Sequence, residues 1–104
     1  MFRIEDDTLY ITRGDTGYLY VDIEGYEPED GDTITLTVRK NIGDAEPTLS
    51  ITVPIDECIV IQPSDTKELE YGKYYFDVQI DTVNNEVFTV VEKSPFRITE
   101  EVTR

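Results

Sequence analysis

Carboxylates are the most abundant potential ligands and catalysts in this sequence of 104 residues, which holds 23 Asp and Glu. Around Gly31, the side chains of Glu29, Asp30 and Asp32 could offer oxygens to Ca²⁺, which takes about six to eight such ligands. Their spacing does not match an EF-hand, and acidic loops are expected throughout a chain of net charge −14. We therefore interpret the segment as a solvated loop, with Ca²⁺ binding as the alternative.

Acid–base and nucleophilic catalysis both lack their usual residues. The chain has no His, which removes the commonest general base and the commonest transition-metal ligand. Cys58 alternates out of phase with Ile59 and Ile61, so we interpret it as a packing or strand-edge residue. A chain with 23 Asp and Glu has enough carboxylates for the catalytic pair of a glycoside hydrolase, but no sequence feature indicates two of them at the required spacing. The sequence predicts a protein that is not an enzyme and holds no cofactor or metal.

The tripeptide Arg13-Gly14-Asp15 is the one that integrin ligands display on exposed loops. Together with Gly17 it predicts a turn, because glycine permits positive φ. A turn selects Gly-Asp for its own conformational reasons. We therefore interpret the tripeptide as turn chemistry, with integrin recognition as the alternative.

Outward tyrosines are stronger candidates for binding in a chain with seven Tyr and four Phe. If Leu9, Leu19 and Phe76 face a core, strand alternation turns four tyrosines away from it. Exposed Tyr is favoured at protein interfaces and on sugar-binding platforms, since it joins a large apolar body to a polar tip. Cross-strand aromatic pairing on a solvated sheet face is the other interpretation. The candidate interface residues are Tyr10, Tyr18, Tyr20 and Tyr75.

Length and charge narrow the class of protein. A chain of 104 residues predicts one domain, residues 1–104. A single Cys excludes an internal disulfide framework and fits a reducing compartment. The net charge of −14 disfavours nucleic acid and anionic membranes as partners and favours solubility. No apolar run approaches the ~20 residues of a membrane span, and Met1 to Asp7 lack a signal-peptide core, so we expect no Sec-type export.

Apolar residues at every second position predict an all-β domain. The stretch from Thr33 to Lys40 is the clearest example. Asn84-Asn85 predicts a tight hairpin turn, and Pro63 to Leu69 predicts a single helical turn capped by Ser64 or Asp65. The predicted strands are residues 8–13, 18–24, 33–40, 49–53, 58–62, 71–82, 86–93 and 95–102.

The strand 86–93 resists assignment of its faces. Val87 and Val91 alternate one way, whereas Phe88 and Val90 alternate the other. A change of one residue in register would exchange the two sets. We expect either that this strand is covered on both sides or that one of its faces belongs to an interface.

The approach to residues 71–82 predicts how the sheets are joined. Leu69, Gly72 and Tyr74 resemble the corner through which an immunoglobulin-like sandwich enters a late strand. In such a corner the Tyr ring is buried and its hydroxyl bonds to the upstream backbone. Together with the strand spacing, this predicts an antiparallel immunoglobulin-like β-sandwich of about seven to eight strands.

Short motifs follow one another along nearly the whole chain: Phe2–Thr8, Ile11–Thr16, Gly31–Ile34, Tyr71–Ile80, Phe88–Val90 and Phe96–Thr103. The series resembles the small structural proteins of phages and prophages of Gram-positive bacteria. It is similar to the N-terminal domain of phage baseplate upper proteins, an immunoglobulin-like β-sandwich module. No catalytic or ligand residues come with the resemblance.

The resemblance implies a non-enzymatic module of a tail, baseplate or head-associated assembly. Its partners would be other phage structural proteins or further copies of the same chain. Its place would be the virion, or the bacterial cytoplasm when it is expressed from a prophage. The alternative is a stand-alone immunoglobulin-like module that binds a carbohydrate or a surface.

Overall fold

A computed structural model describes residues 1–100, of which 51% lie in strands and 4% in helix. The ends of the predicted strand 95–102 and of the motif 96–103 lie outside the described residues. Eight strands and one helix fall within the described part. They are β1 (Phe2–Glu5), β2 (Thr8–Thr12), β3 (Gly17–Leu19), β4 (Thr33–Arg39), β5 (Leu49–Pro54), β6 (Ile59–Ile61), α1 (Pro63–Thr66), β7 (Gly72–Asp81) and β8 (Val87–Thr99).

The strands form a six-stranded sheet in the order β1-β2-β8-β7-β4-β5 and a two-stranded sheet of β3 and β6. All pairs are antiparallel except β2 and β8, which run parallel from Leu9 beside Phe96 to Thr12 beside Thr99. The prediction of a purely antiparallel domain is therefore wrong at this pair. Hairpins force neighbouring strands to be antiparallel, whereas β2 and β8 are joined through most of the chain and are under no such constraint.

The strand β1 was not predicted from the sequence. It forms a hairpin with β2, with Glu5 opposite Thr8, so that Asp6 and Asp7 alone make the turn. Both have positive φ, 49° and 64°. A two-residue turn with positive φ at both positions matches the twist of the flanking strands. Asp tolerates this conformation less commonly than Asn or Gly, which is why the turn escapes a sequence reading.

The strand β8 replaces the two predicted strands 86–93 and 95–102 and continues through Pro95. Its register against β7 shifts between Phe76 and Val78 and again between Val78 and Gln79. A bulge inserts an extra residue and reverses the faces of those that follow. Phe88 and Val91 thereby lie opposite the core residues Ile80 and Val78 in the ladder, although their own spacing is odd. The irregular register accounts for the conflicting alternation.

The predicted strand 18–24 is shorter in the structure, because ladder pairing ends at Leu19. Residues 20–24 keep the alternation of a strand, with Val21 and Ile23 half-buried between exposed neighbours. Both side chains pack against the core. The segment therefore covers the core without belonging to either sheet.

The helical turn and the hairpin lie where the sequence predicts them. The N-cap of α1 is Gln62, so the prediction that Ser64 or Asp65 occupies this position is wrong, and both lie inside the turn. Asp65 contributes from its third position, where its Oδ2 accepts from the Gln62 N–H at 2.7 Å. In the hairpin, Asn85 has φ 64° and the Thr82 N–H donates to the Glu86 carbonyl at 2.9 Å. Asn is among the few residues that adopt this conformation readily.

Apolar side chains of both sheets form one hydrophobic core. Each fully buried Leu, Ile or Phe contributes roughly 1.5–3 kcal/mol relative to exposure. Sheet edges on the β1 side are less completely covered, and Ile4 stays 56% exposed. The buried apolar residues are Leu9, Ile11, Leu19, Ile34, Leu36, Val38, Ile59, Ile61, Tyr74, Phe76, Val78, Ile80, Phe96 and Ile98.

Candidate functional site

The corner residues are engaged in holding β7 to the rest of the domain. Tyr74 is buried, and its hydroxyl donates to the Glu70 carbonyl at 2.8 Å, the hydrogen bond of a tyrosine corner. Burial raises the pKa of the Tyr74 hydroxyl. Gly72 has φ 130°, which side-chain-bearing residues rarely adopt, and Leu69 packs against the core. This corner shapes the fold and offers no surface for a ligand.

The Arg13-Gly14-Asp15 turn is held by contacts within the domain. The buried Gly14 N–H donates to Thr66 Oγ1 at 2.8 Å. The Arg13 guanidinium stacks 4.2 Å from the Tyr71 ring centroid, and Asp15 pairs with the N-terminal amine. A recognition loop needs its Arg and Asp accessible to a receptor. These contacts favour the interpretation as a structural turn.

The acidic loop is organised around Asp32, which is only 1% exposed. Its Oδ2 accepts from the Tyr26 hydroxyl at 2.5 Å and from the Glu29 N–H at 2.9 Å, and its Oδ1 accepts from the Val83 N–H at 2.9 Å. The prediction of a solvated loop is therefore wrong for Asp32. Both of its oxygens are already used by protein donors, which argues against the Ca²⁺ alternative.

The same hydrogen-bond network shifts the pKa values of Asp32 and Tyr26. The hydrogen bond from Tyr26, followed by that from the Glu29 N–H, holds the pKa of Asp32 below its usual value. The reciprocal effect of the Asp32 carboxylate raises the pKa of Tyr26 to about 12. Tyr26 also packs on Phe88, with ring centroids 5.4 Å apart. Two contacts thus hold the loop against the β7–β8 hairpin: the charge-assisted hydrogen bond from the Val83 N–H to Asp32 and the ring contact between Tyr26 and Phe88.

The four predicted interface tyrosines divide between two surfaces. Tyr18 and Tyr20 lie on and just after β3 and are 58% and 79% exposed. Tyr10 and Tyr75 lie on the six-stranded sheet and are half-buried. Tyr18 and Tyr20 lie on and beside β3, whereas Tyr10 and Tyr75 lie on the outer side of the six-stranded sheet, so we treat the two pairs as separate surfaces.

The first surface, which we call the Tyr20 edge, is Tyr18, Tyr20 and Ile4 with the segment after β3. A cavity of about 220 Å³ opens beside Tyr20 and Ile4, and Val91 lies in its floor. Cys58 lies next to Tyr20, its Sγ 3.5 Å from the Leu19 carbonyl oxygen. A hydrogen bond with Cys58 raises the pKa of Tyr20. The Tyr20 edge combines exposed apolar area with polar tips, the composition typical of protein interfaces.

The second surface lies on the side of the six-stranded sheet that faces away from the core. The register places Arg3 opposite Tyr10 on the neighbouring strand. Arg97 follows beside Tyr10, and Lys73 lies opposite Arg97. We call these four residues the cation–aromatic row. The Arg3 guanidinium stacks 4.1 Å from the Tyr10 ring centroid.

A second pair continues this surface. Tyr75 follows Lys73 by two residues and therefore points to the same side of β7. The Lys73 ammonium lies 5.3 Å from the Tyr75 ring centroid. Arg39 lies opposite Tyr75 in the ladder between β4 and β7. Cations and tyrosine rings thus lie side by side on the outer side of the sheet, with Arg97 and Lys73 as direct neighbours.

The cations of this surface were missed in the sequence. Lys73 and Arg97 each stand beside a core residue on a predicted strand, so alternation predicts that they point outward, whereas Arg3 belongs to β1, which was not predicted. Nothing in the sequence shows that three separate strands bring these cations into one row. That information lies in the strand order and register.

No protein-family model matches the chain, and the comparisons with curated proteins and with solved structures gave no match. Within residues 1–100, no group of three or more His, Cys, Asp or Glu is placed to hold a metal ion. No helix in that same range is long and apolar enough to cross a membrane.

Proposed function

We propose that this protein is a non-enzymatic structural module of a phage or prophage particle, located in a tail, baseplate or head-associated assembly. It acts through contacts with other structural proteins or further copies of itself. Its place is the virion, or the bacterial cytoplasm when it is expressed from a prophage. The observation that carries the proposal is the Tyr20 edge, where large apolar side chains stay exposed beside backbone that belongs to no sheet.

The strand order supports an immunoglobulin-like sandwich as the fold of this module. In variable-type immunoglobulin domains the strands of one sheet follow the order G-F-C-C′, and strands B and E are neighbours in the other. The order β8-β7-β4-β5 and the pair β3-β6 correspond to these arrangements. Tyr74, at the start of β7, stands where the tyrosine corner of strand F is expected.

The backbone after β3 supports a role in assembly. Residues 21–25 make no backbone–backbone hydrogen bond with any described residue. Exposed N–H and C=O groups beside a sheet are a template for pairing with another chain. When a partner binds by adding a strand, backbone hydrogen bonds provide affinity and pockets receive every second side chain of the partner. The cavity beside Tyr20 could receive one such side chain.

The proposal is tested by light scattering after size exclusion, with the protein alone and mixed with the products of neighbouring genes. We expect a defined complex that Tyr20→Ala weakens at least tenfold, because exposed aromatic anchors contribute most to such contacts. Ile42→Ala is the matched control, since Ile42 is 55% exposed on the β4–β5 loop and lies away from this edge. A persistent monomer that binds none of these proteins would contradict the proposal.

The alternative, a carbohydrate- or surface-binding module, is favoured by one observation. The Tyr20 ring is 79% exposed next to a cavity, as a sugar-stacking ring would be. The rings of Tyr10 and Tyr75 are less suited, because Arg3 and Lys73 lie over them. A glycan array distinguishes the two functions, and glycan binding abolished by Tyr20→Ala would replace the structural role with this one.

A further inference from the structure

The outer side of the six-stranded sheet concentrates positive charge in a strongly acidic protein. The chain has nine Lys and Arg against 23 Asp and Glu. Three of the nine, Arg3, Lys73 and Arg97, lie in the cation–aromatic row, and Arg39 lies opposite the adjacent Tyr75. Neighbouring strands lie about 4.8 Å apart, so the row of four residues spans roughly 14 Å.

Arg3 and Arg39 make polar contacts within the domain, and Arg39 Nε donates to the Asp44 carbonyl at 3.0 Å. Arg3 Nε lies 3.4 Å from Glu5 Oε2 at the rim of the row. Among residues 1–100, neither Lys73 nor Arg97 has a carboxylate within 4 Å, although the chain is rich in them. In a domain of this composition, unneutralised cations gathered on one open sheet face are available to a partner.

We propose that this face binds an acidic polypeptide segment of a partner protein, with Arg97 and Lys73 pairing with its carboxylates and the rings of Tyr10 and Tyr75 holding the Arg3 and Lys73 cations in place. This inference rests on the proposed function in protein–protein contact and identifies the chemistry of one partner. The contact surface is separate from the Tyr20 edge.

Carboxylates suit this face better than other anions. A guanidinium binds a carboxylate through two parallel hydrogen bonds, and Arg97 stands exposed in the middle of the row. The Arg3 guanidinium, stacked on Tyr10, adds charge beside it. An open sheet face on which cations recur at strand spacing accommodates an extended chain with several acidic side chains.

The net charge of −14 selects against two other occupants. Nucleic acid carries phosphate charge along its whole length, and its binding depends on many cations releasing counterions. A second copy would bring a further −14. A partner with only a local acidic segment avoids most of this repulsion, because charges beyond a Debye length of about 8 Å are screened at physiological salt.

Fluorescence anisotropy tests the proposal with the full-length protein. The probe is a fluorescein-labelled 12-residue peptide of Asp, Glu and Gly with blocked ends, in buffer with about 20 mM salt. We expect saturable binding that weakens as salt is raised, and NMR shifts of backbone amides centred on Tyr10, Lys73 and Arg97. Arg97→Glu is expected to weaken binding at least tenfold, and Lys73→Gln several-fold.

Lys67→Glu is the matched control, because it changes the net charge by the same amount at an exposed site beyond α1, away from the sheet face. An equal loss of binding in Lys67→Glu would show that total charge alone matters and would overturn the proposal. So would the absence of peptide binding by the folded protein, or tighter binding of a single-stranded DNA oligonucleotide through the same residues. Arg97-dependent self-association in sedimentation velocity would assign the face to a second copy instead.

The test is independent of the Tyr20 edge. We expect Tyr20→Ala to leave peptide binding unchanged. A complex that depends on Tyr20 but no binding of the peptide would overturn only this inference. Binding of the peptide with no complex in the light-scattering experiment would instead count against the proposed structural role.

Discussion

At the scale of single residues, Tyr26 is the clearest reporter of the buried hydrogen-bond network. Its hydroxyl donates to Asp32, and the pKa of Tyr26 is raised to about 12. The raised pKa means that this contact stabilises the fold fully below pH 10, the value in the unfolded chain, and loses its effect as pH rises through about 12. Tyr20 and Tyr74 also have raised pKa values, so the ultraviolet titration should contain a late component near pH 12 that Tyr26→Phe removes.

Asp32→Asn should move that late titration back towards 10, because the neutral amide no longer opposes the phenolate charge. Asp30→Asn is the control, since Asp30 is exposed in the same loop. If the raised pKa of Tyr26 were unchanged in Asp32→Asn, a group other than the Asp32 carboxylate would be its cause.

Asp32 makes the free energy of unfolding depend on pH in the acidic range. Its pKa in the fold is lowered from 3.8, chiefly by the hydrogen bond from Tyr26. Its contribution is thus complete above about pH 4 and is lost as pH falls through the lower folded pKa. We expect the urea midpoint to fall as pH is lowered below about 4, and to fall less in Asp32→Asn. An equal acid slope in Asp32→Asn and in Asp30→Asn would contradict this role.

At the scale of elements, the alternation of apolar and polar residues was sufficient to predict the strands β4 and β7. The cores of β4 and β7 follow from apolar residues at every second position, and both strands lie within a residue or two of their predicted bounds. Three features needed information that alternation does not carry. They are the positive-φ turn at Asp6 and Asp7, the bulges opposite Val78, and the parallel pairing of β2 with β8.

The start of β7 depends on backbone conformation. Gly72 has φ 130°, and a Cβ there would meet nothing closer than Lys40 Nζ at 4.0 Å. Space is therefore sufficient, and Gly72→Ala should destabilise the fold through backbone strain, by about 1–3 kcal/mol. Gly43→Ala is the matched control, because a Cβ at Gly43 has open space and no positive φ is recorded there. Urea unfolding measures both, and equal midpoints would refute strain at Gly72.

At the scale of the whole molecule, the candidate surfaces show where sequence reading stops. The outward direction of Tyr10, Tyr20, Lys73 and Arg97 follows from the periodicity of single strands. Their division between two surfaces follows only from strand order, which joins residues far apart in the chain. The row exists because β2 lies beside β8, the one parallel pair in residues 1–100, whereas the sequence predicted antiparallel pairing throughout.

Net charge governs the stability of the whole domain. With a charge of −14, and one ion pair between side chains within 4 Å among the described residues, repulsion between carboxylates outweighs attraction. Added salt screens this repulsion, so Tm should rise between about 10 and 200 mM NaCl. Each ~1 kcal/mol of repulsion removed corresponds to a rise of roughly 4–8 °C in a domain of this size.

Lys67→Glu should steepen the rise of Tm with salt because it adds to the negative charge. KCl should reproduce the effect of NaCl, since screening depends on ionic strength, and a Tm that falls with salt would show that ion pairs dominate instead.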